Sequence, residues 1–144
     1  MKKSIFFSLL AICLLTLCSS CTQNGGHIGK LFGRWHLERI EADGVVLPES
    51  QGEIFLAFQG KVMELLLVKE EHESQEVFAS FREEDNTIFL DFCQKNMLPY
   101  PQTGLLKESE LQILRLTGKE LVCVLHPEPE TDPEASLTYY LRKW

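Results

Sequence analysis

Between residues 34 and 143, apolar residues recur at every second position in short runs, and no stretch holds a 3.6-residue period long enough for a helix. Side chains of an extended chain point alternately to two faces, so this period commits the chain to β-strands. Eight runs qualify: 34–40, 53–59, 62–69, 75–82, 87–92, 110–116, 120–126 and 136–143. The alternation is clearest for Val77, Ala79 and Phe81; Ile88, Leu90 and Phe92; Leu121, Cys123 and Leu125; and Leu137, Tyr139 and Leu141. Those sets are expected to face an interior. The connections 59–61, 83–86 and 117–119 are tight turns, whereas 41–52, 93–109 and 127–135 are long and 70–74 is intermediate. In an up-and-down chain, alternate connections fall at opposite ends, so the long loops share one end. This asymmetry predicts an all-β, eight-stranded antiparallel up-and-down barrel with an open mouth and a base closed at the N-terminal end.

The first 21 residues set the location. Lys2 and Lys3 precede an apolar run from Ile5 to Leu17 that is too short to cross a bilayer as a helix, and small residues Ser19 and Ser20 precede Cys21. This is the pattern of a secretory signal peptide over residues 1–20. A cysteine at that point resembles the bacterial lipobox, which implies that Cys21 is linked to diacylglycerol, acylated and left as the mature N-terminus. Residues 21–32 then read as a flexible tether, and 33–144 as one domain. Without residues 1–20, 12 basic residues face 21 acidic ones, a net charge of −9. A chain this acidic, with no basic cluster, does not suit nucleic acid. Beyond Cys21, the mature chain keeps Cys93 and Cys123, which leaves two options. They pair in an oxidising compartment, or Cys123, alternating with Leu121 and Leu125, is a buried free thiol, which the pattern favours.

Gly33-Arg34-Trp35, at the start of the first of eight strands, resembles the lipocalin signature, and the terminal segment 137–143 resembles the last strand of that fold. With the lipobox and the short tether, the chain is similar to the lipocalin-like lipoproteins of Bacteroides-type bacteria. The resemblance implies that Trp35 closes the barrel base beside Gly33 and that Arg142 packs across the tryptophan ring.

No pattern points to catalysis. Glu70-Glu71-His72-Glu73 places an imidazole among carboxylates, but adjacent residues at a hairpin tip diverge, whereas a metal needs converging ligands. His36 and His126 sit at no ligand spacing. Neither a nucleophile elbow, nor a His-Glu-x-x-His pair, nor a phosphate-cradling loop occurs, so the expectation is a non-enzyme with no metal and no cofactor.

The loop 93–109 is long for a compact domain, and such loops are commonly functional. It holds Met97, Leu98 and Tyr100, with Pro99 and Pro101 restricting the backbone. The bland reading is a loop folded back to plug the barrel; the functional one is a lip in which Met97, Leu98 and Tyr100 touch a ligand or partner. Residues 53–69 are apolar on both faces, so something should cover the outside of this hairpin: the tether, a loop, or a second copy in a homodimer.

Two functions fit. The first is a lipid-anchored envelope binding protein whose small barrel holds a small neutral or apolar ligand at an acidic mouth, since such a field repels anions. The alternative is a barrel packed solid with its own side chains, acting as a protein–protein interaction or assembly module of the cell envelope. The residues after Cys21 carry neither an acidic run nor an aspartate at the second mature position, which points to the outer membrane, facing the periplasm. The tether enters at the base, so the basic residues there meet the membrane and the acidic loops face away.

Overall fold

The computed structural model describes residues 29–48, 52–70, 73–92, 99–126 and 136–144. These form nine strands: β1 (Gly33–Ala42), β2 (Val45–Val46), β3 (Glu53–Gln59), β4 (Val62–Val68), β5 (Ser74–Glu84), β6 (Thr87–Asp91), β7 (Glu108–Leu116), β8 (Glu120–Leu125) and β9 (Leu137–Lys143). Each of the eight anticipated runs is a strand, displaced by a few residues at the ends of β5 and β7. Apart from the two-residue β2, neighbours in sequence are neighbours in space, all antiparallel, and β1 pairs with β9 to close the barrel. Among the described residues, closure leaves no long unpaired edge on which another chain can template.

Turn chemistry explains the hairpins. Asp85 and Asn86 take φ of 48° and 60°, and Asp43 and Gly44 take 49° and 80°. Two successive left-handed residues match the twist of antiparallel strands, and short polar side chains or glycine tolerate that backbone. The Asp43–Gly44 turn folds Val45 and Val46 back onto Glu41 and Ala42, which makes β2, a strand too short to leave a period in the sequence.

The register of β1 on β9 shifts between Leu37 and Arg39, and that of β7 on β8 between Ile113 and Arg115. Each bulge inserts one residue and reverses the parity of the strand. Trp35 and Leu37 face inward before the first bulge and Ile40 after it, so β1 bends around the barrel while keeping its apolar face inside.

Interior positions belong to one apolar cluster. Trp35, Leu56, Phe58, Met63, Leu65, Ile88, Leu111, Leu121, Cys123 and Leu141 are all nearly inaccessible to solvent. Phe58 and Phe81 meet edge to face, with centroids 5.0 Å apart. Cys123 is a free thiol; Cys93 lies outside the described residues.

The outer face of β3 and β4 is apolar, and Phe55 and Leu66 on it are buried. The chain supplies part of the cover itself. The Trp144 ring meets Phe55 edge-on at 5.3 Å, and His36 lies against the same phenyl ring at 5.0 Å.

Candidate functional site

The base of the barrel is built around Trp35. Its ring is fully buried, and Nε1 donates to the Leu31 carbonyl at 2.7 Å. Leu31 falls in the segment read from sequence as tether, yet it is part of the core. A turn closed by Phe32 N donating to the Gly29 carbonyl brings it beneath the tryptophan. Lys143 lies over the same ring, with Nζ 5.0 Å from its centroid, and donates to the Phe32 carbonyl at 2.6 Å. The Gly33 residue has φ of 121°, and a Cβ there would approach Lys143 Cε to 2.9 Å. Glycine is needed at this position both for the backbone and for the lysine above it.

Arg142 is a correction. It does not cross Trp35 but points outward and pairs with Glu38, the bulge residue of β1, at 2.8 Å. Alternation along β9 decides this: Leu137, Tyr139, Leu141 and Lys143 share the inward face, so the residue between the last two must face solvent.

The opposite end carries the long connections, and the segment before β7 is packed into it. Residues Pro101–Thr103 form a 3-10 turn ending in Gly104, whose φ is 68°. Gly104 packs so closely on Leu137 that a side chain would displace the leucine. Tyr100, Thr103 and Leu105 are buried members of the core. The Tyr100 hydroxyl donates to the Gln75 carbonyl at 2.5 Å and the Tyr139 hydroxyl to the Thr103 carbonyl at 2.6 Å, so each tyrosine ties the segment to a different wall. Thr103 Oγ1 donates to the Tyr100 carbonyl at 2.6 Å, which fixes the turn from within. Burial pushes both tyrosine hydroxyls above their ordinary titration range. Among the described residues no buried side-chain nitrogen or oxygen lacks a hydrogen bond. Among the described residues the interior is therefore apolar and polar-satisfied from Trp35 to Leu105.

Of the two readings of this loop, the position of Tyr100 follows the one folded back into the barrel. Tyr100 is part of a plug and does not present its side chain to solvent. Met97 and Leu98, like Cys21, lie outside the described residues.

Among the described residues, those open to solvent at the mouth are acidic with apolar points. Glu41, Asp43, Glu70, Glu73 and Glu108 are carried on this end, with Lys69 and Lys107 opposing them. Val45, Val46 and Leu106 are exposed. The Glu41 carboxylate accepts from Arg39 Nε at 2.8 Å and from the Tyr140 hydroxyl at 2.9 Å, and these bonds, the one from Arg39 first, hold its pKa below the usual range. Arg39 also stacks on the Tyr140 ring at 3.6 Å.

From the mouth an open groove of about 1020 Å³ extends along the outer face of β5, β6 and β7. Arg82, stacked on Phe89 at 3.8 Å, lies on one side, with Asp91, Glu110 and Gln112 across the strands and Leu106, Leu125 and Leu137 at the mouth end. His126 Nε2 lies 3.1 Å from Gln112 Oε1 within it. Among the described residues, no three His, Cys, Asp or Glu side chains converge as a metal site.

Comparisons with known proteins agree with this architecture. The family model described as a lipocalin-like domain matches residues 14–122. No curated protein matches the chain. The crystal structure of a lipocalin-like protein from Bacteroides uniformis superposes with a TM-score of 0.62 at 17% identity, covering 81% of this chain and all of that one. An uncharacterized protein from Bacteroides eggerthii gives a TM-score of 0.59 at 16% identity, covering 79% of this chain and 99% of that one. At these identities the likeness is one of fold. With a family model spanning most of its length and a closed eight-stranded barrel behind it, the chain belongs to the lipocalin-like domain family.

Proposed function

We propose that this protein is a binding module of the cell envelope that works from the surface of a filled barrel, meeting an envelope protein with its acidic, loop-bearing end. The observation that carries this reading is the plug: Tyr100, Thr103 and Leu105 occupy the mouth, and their polar groups are satisfied within the chain. A small ligand held inside would have to displace that segment and break its hydrogen bonds. The exposed mouth combines carboxylates with Val45, Val46 and Leu106, which suits a partner surface that is neutral or cationic with apolar contacts. In this reading the chain is anchored by lipid on Cys21 to the periplasmic leaflet of the outer membrane, with no catalytic role.

A second reading has an observation of its own. The open groove exceeds the roughly 300 Å³ at which ligand pockets begin, so a small neutral or apolar molecule held there stands as the alternative. Two measurements separate them. Chemical cross-linking from a photoreactive residue at Val46 in intact cells, followed by mass spectrometry, captures a protein under the first reading. Titration of the purified protein with an environment-sensitive apolar fluorophore shows saturable binding under the second. Saturable binding without a cross-linked protein overturns the first.

A further inference from the structure

We infer that the base of the barrel is itself a membrane-docking surface, fitted to an anionic lipid bilayer through Phe32, Trp144 and an arc of cations. Phe32 and Trp144 are 42% and 76% exposed; Phe32 stands at the end of the barrel that carries the tight turns, and the Trp144 ring folds from the end of β9 onto the adjoining wall, against His36 and Phe55. They are neighbours in the fold, because β1 and β9 pair and Trp144 N donates to the Arg34 carbonyl at 2.9 Å. Around them stand Lys30, Arg34, Lys61 and Lys119, on the turns and strand starts from β8 round to β4, and none of the four makes an ion pair among the described residues. The backbone knits this arc together, with Lys143 N donating to the Lys119 carbonyl at 2.8 Å.

The acids of this end are set apart from the aromatic rings or engaged. Glu83, Glu84 and Asp85 lie on the β5–β6 hairpin, which adjoins the Lys61 end of the arc and stands across the barrel from Phe32. Arg82 pairs there with Glu84, and Glu120, beside Lys119, pairs with Arg115. A surface with two exposed aromatic rings and unpaired cations matches the membrane interface, where aromatic rings sit at headgroup depth and Lys and Arg meet anionic lipid. The chain also arrives here: residue 29 leads into the base, eight residues after Cys21. Membrane contact therefore combines a lipid and a protein face, as stable anchoring by more than one signal requires. This inference rests on the anchored reading above only for delivery to the membrane; the docking face is a property of the folded domain.

The two tryptophans make it measurable, because Trp35 is buried and Trp144 is not. The full chain, purified in detergent from a bacterial host that processes it, is incorporated into vesicles of phosphatidylcholine with phosphatidylglycerol, both with brominated acyl chains. Vesicles of brominated phosphatidylcholine alone serve as the comparison. The expected result is strong quenching of Trp144 emission on the anionic vesicles, weak quenching on the neutral ones, and none in Trp144→Phe. The charge-reversed variant Lys61→Glu with Lys119→Glu should lower the docked-to-undocked ratio at least about tenfold, since each surface cation near anionic lipid is worth about a factor of five. Intact mass reads the lipid on Cys21 separately. Protein that floats with the vesicles while Trp144 stays unquenched overturns docking and leaves the anchor standing. Quenching by a chain whose mass shows no lipid supports docking and overturns the anchor. Quenching that ignores both vesicle charge and the double variant overturns the assignment of the cations.

Discussion

Lys143 Nζ stands 5.0 Å above the centroid of the Trp35 ring and is held there by a 2.6 Å hydrogen bond to the Phe32 carbonyl. Trp35 in turn donates to the Leu31 carbonyl, so the residues before β1, the first strand and the last strand are locked through one aromatic ring. Removing the lysine should therefore unlatch the base. Lys143→Ala is expected to lower unfolding stability by about 1–2 kcal/mol, combining a partly desolvated cation–π contact with a lost hydrogen bond. Arg142→Ala should change it by less than about 1 kcal/mol, because that pair with Glu38 is solvent-exposed. Urea denaturation of both variants checks the ranking, and the reverse order would contradict this account of the base.

The glycine next to that lysine gives a second test. Gly33→Ala is expected to cost more than about 1 kcal/mol, since alanine is strained at φ of 121° and its Cβ meets Lys143 Cε. In the Lys143→Ala background only the backbone strain remains. The two substitutions should thus be non-additive, with a smaller cost for Gly33→Ala in the double variant. A double-mutant cycle by chemical denaturation measures the coupling.

At the mouth, Tyr139→Phe and Tyr100→Phe each remove one hydroxyl that ties the plug to a wall. Each should cost about 1–2 kcal/mol, because removing one partner costs more than the net worth of an average hydrogen bond. The loss should be local. Amide hydrogen exchange is expected to rise at residues 103–105 in both variants while the amides of β1 and β9 near Trp35 keep their protection. Tyr100→Ala should go further and let an apolar fluorophore into the barrel that the native protein excludes.

Burial pushes the Cys123 thiol up to about 12, against an ordinary value of 9.0. The native state thus holds this proton more tightly than the unfolded chain. The associated stability is fully present below the unfolded value, falls as pH rises above it, and is gone once pH passes the folded value. In the Cys123→Val protein this dependence is absent. The stability of wild type relative to Cys123→Val should therefore drop by roughly 2 kcal/mol between pH 8 and about pH 10.5, at about 1.4 kcal/mol per pH unit above the unfolded pKa. Guanidinium titrations at the two pH values test it. With Cys13, Cys18, Cys21 and Cys93 replaced by serine, the remaining thiol should react with a disulfide reagent only as fast as the protein opens.

Much of this fold was written locally. Period-two alternation places Val77, Ala79, Phe81, Ile88, Leu90 and Leu121 on one face whatever the rest of the chain does, and Asp85-Asn86 turns the chain by its own backbone preference. The order of long and short connections then separates a mouth from a base. Even the position of Lys143 was legible, since it continues the inward series Leu137, Tyr139 and Leu141. The lipocalin resemblance pointed to Arg142, and the alternation of its own strand overrules it. The two-residue β2 and the bulges at Glu38 and Leu114 were not legible, because a parity reversal leaves no trace until a partner strand fixes the register.

The sequence by itself therefore determined the eight long strands, their order and the face of each side chain in the strands without a bulge, because those depend on neighbours along the chain. Only the tertiary structure decided that Leu31 joins the core and that residues 100–105 fill the mouth. Residues 99–107 have no period to read, and their conformation is set by where Tyr100, Thr103 and Tyr139 find carbonyls. Two of those acceptors, Gln75 and Thr103, lie 25 and 36 residues from their donors. A hydroxyl at the mouth must find an acceptor or remain buried and unpaired, and that acceptor exists only once the barrel has closed.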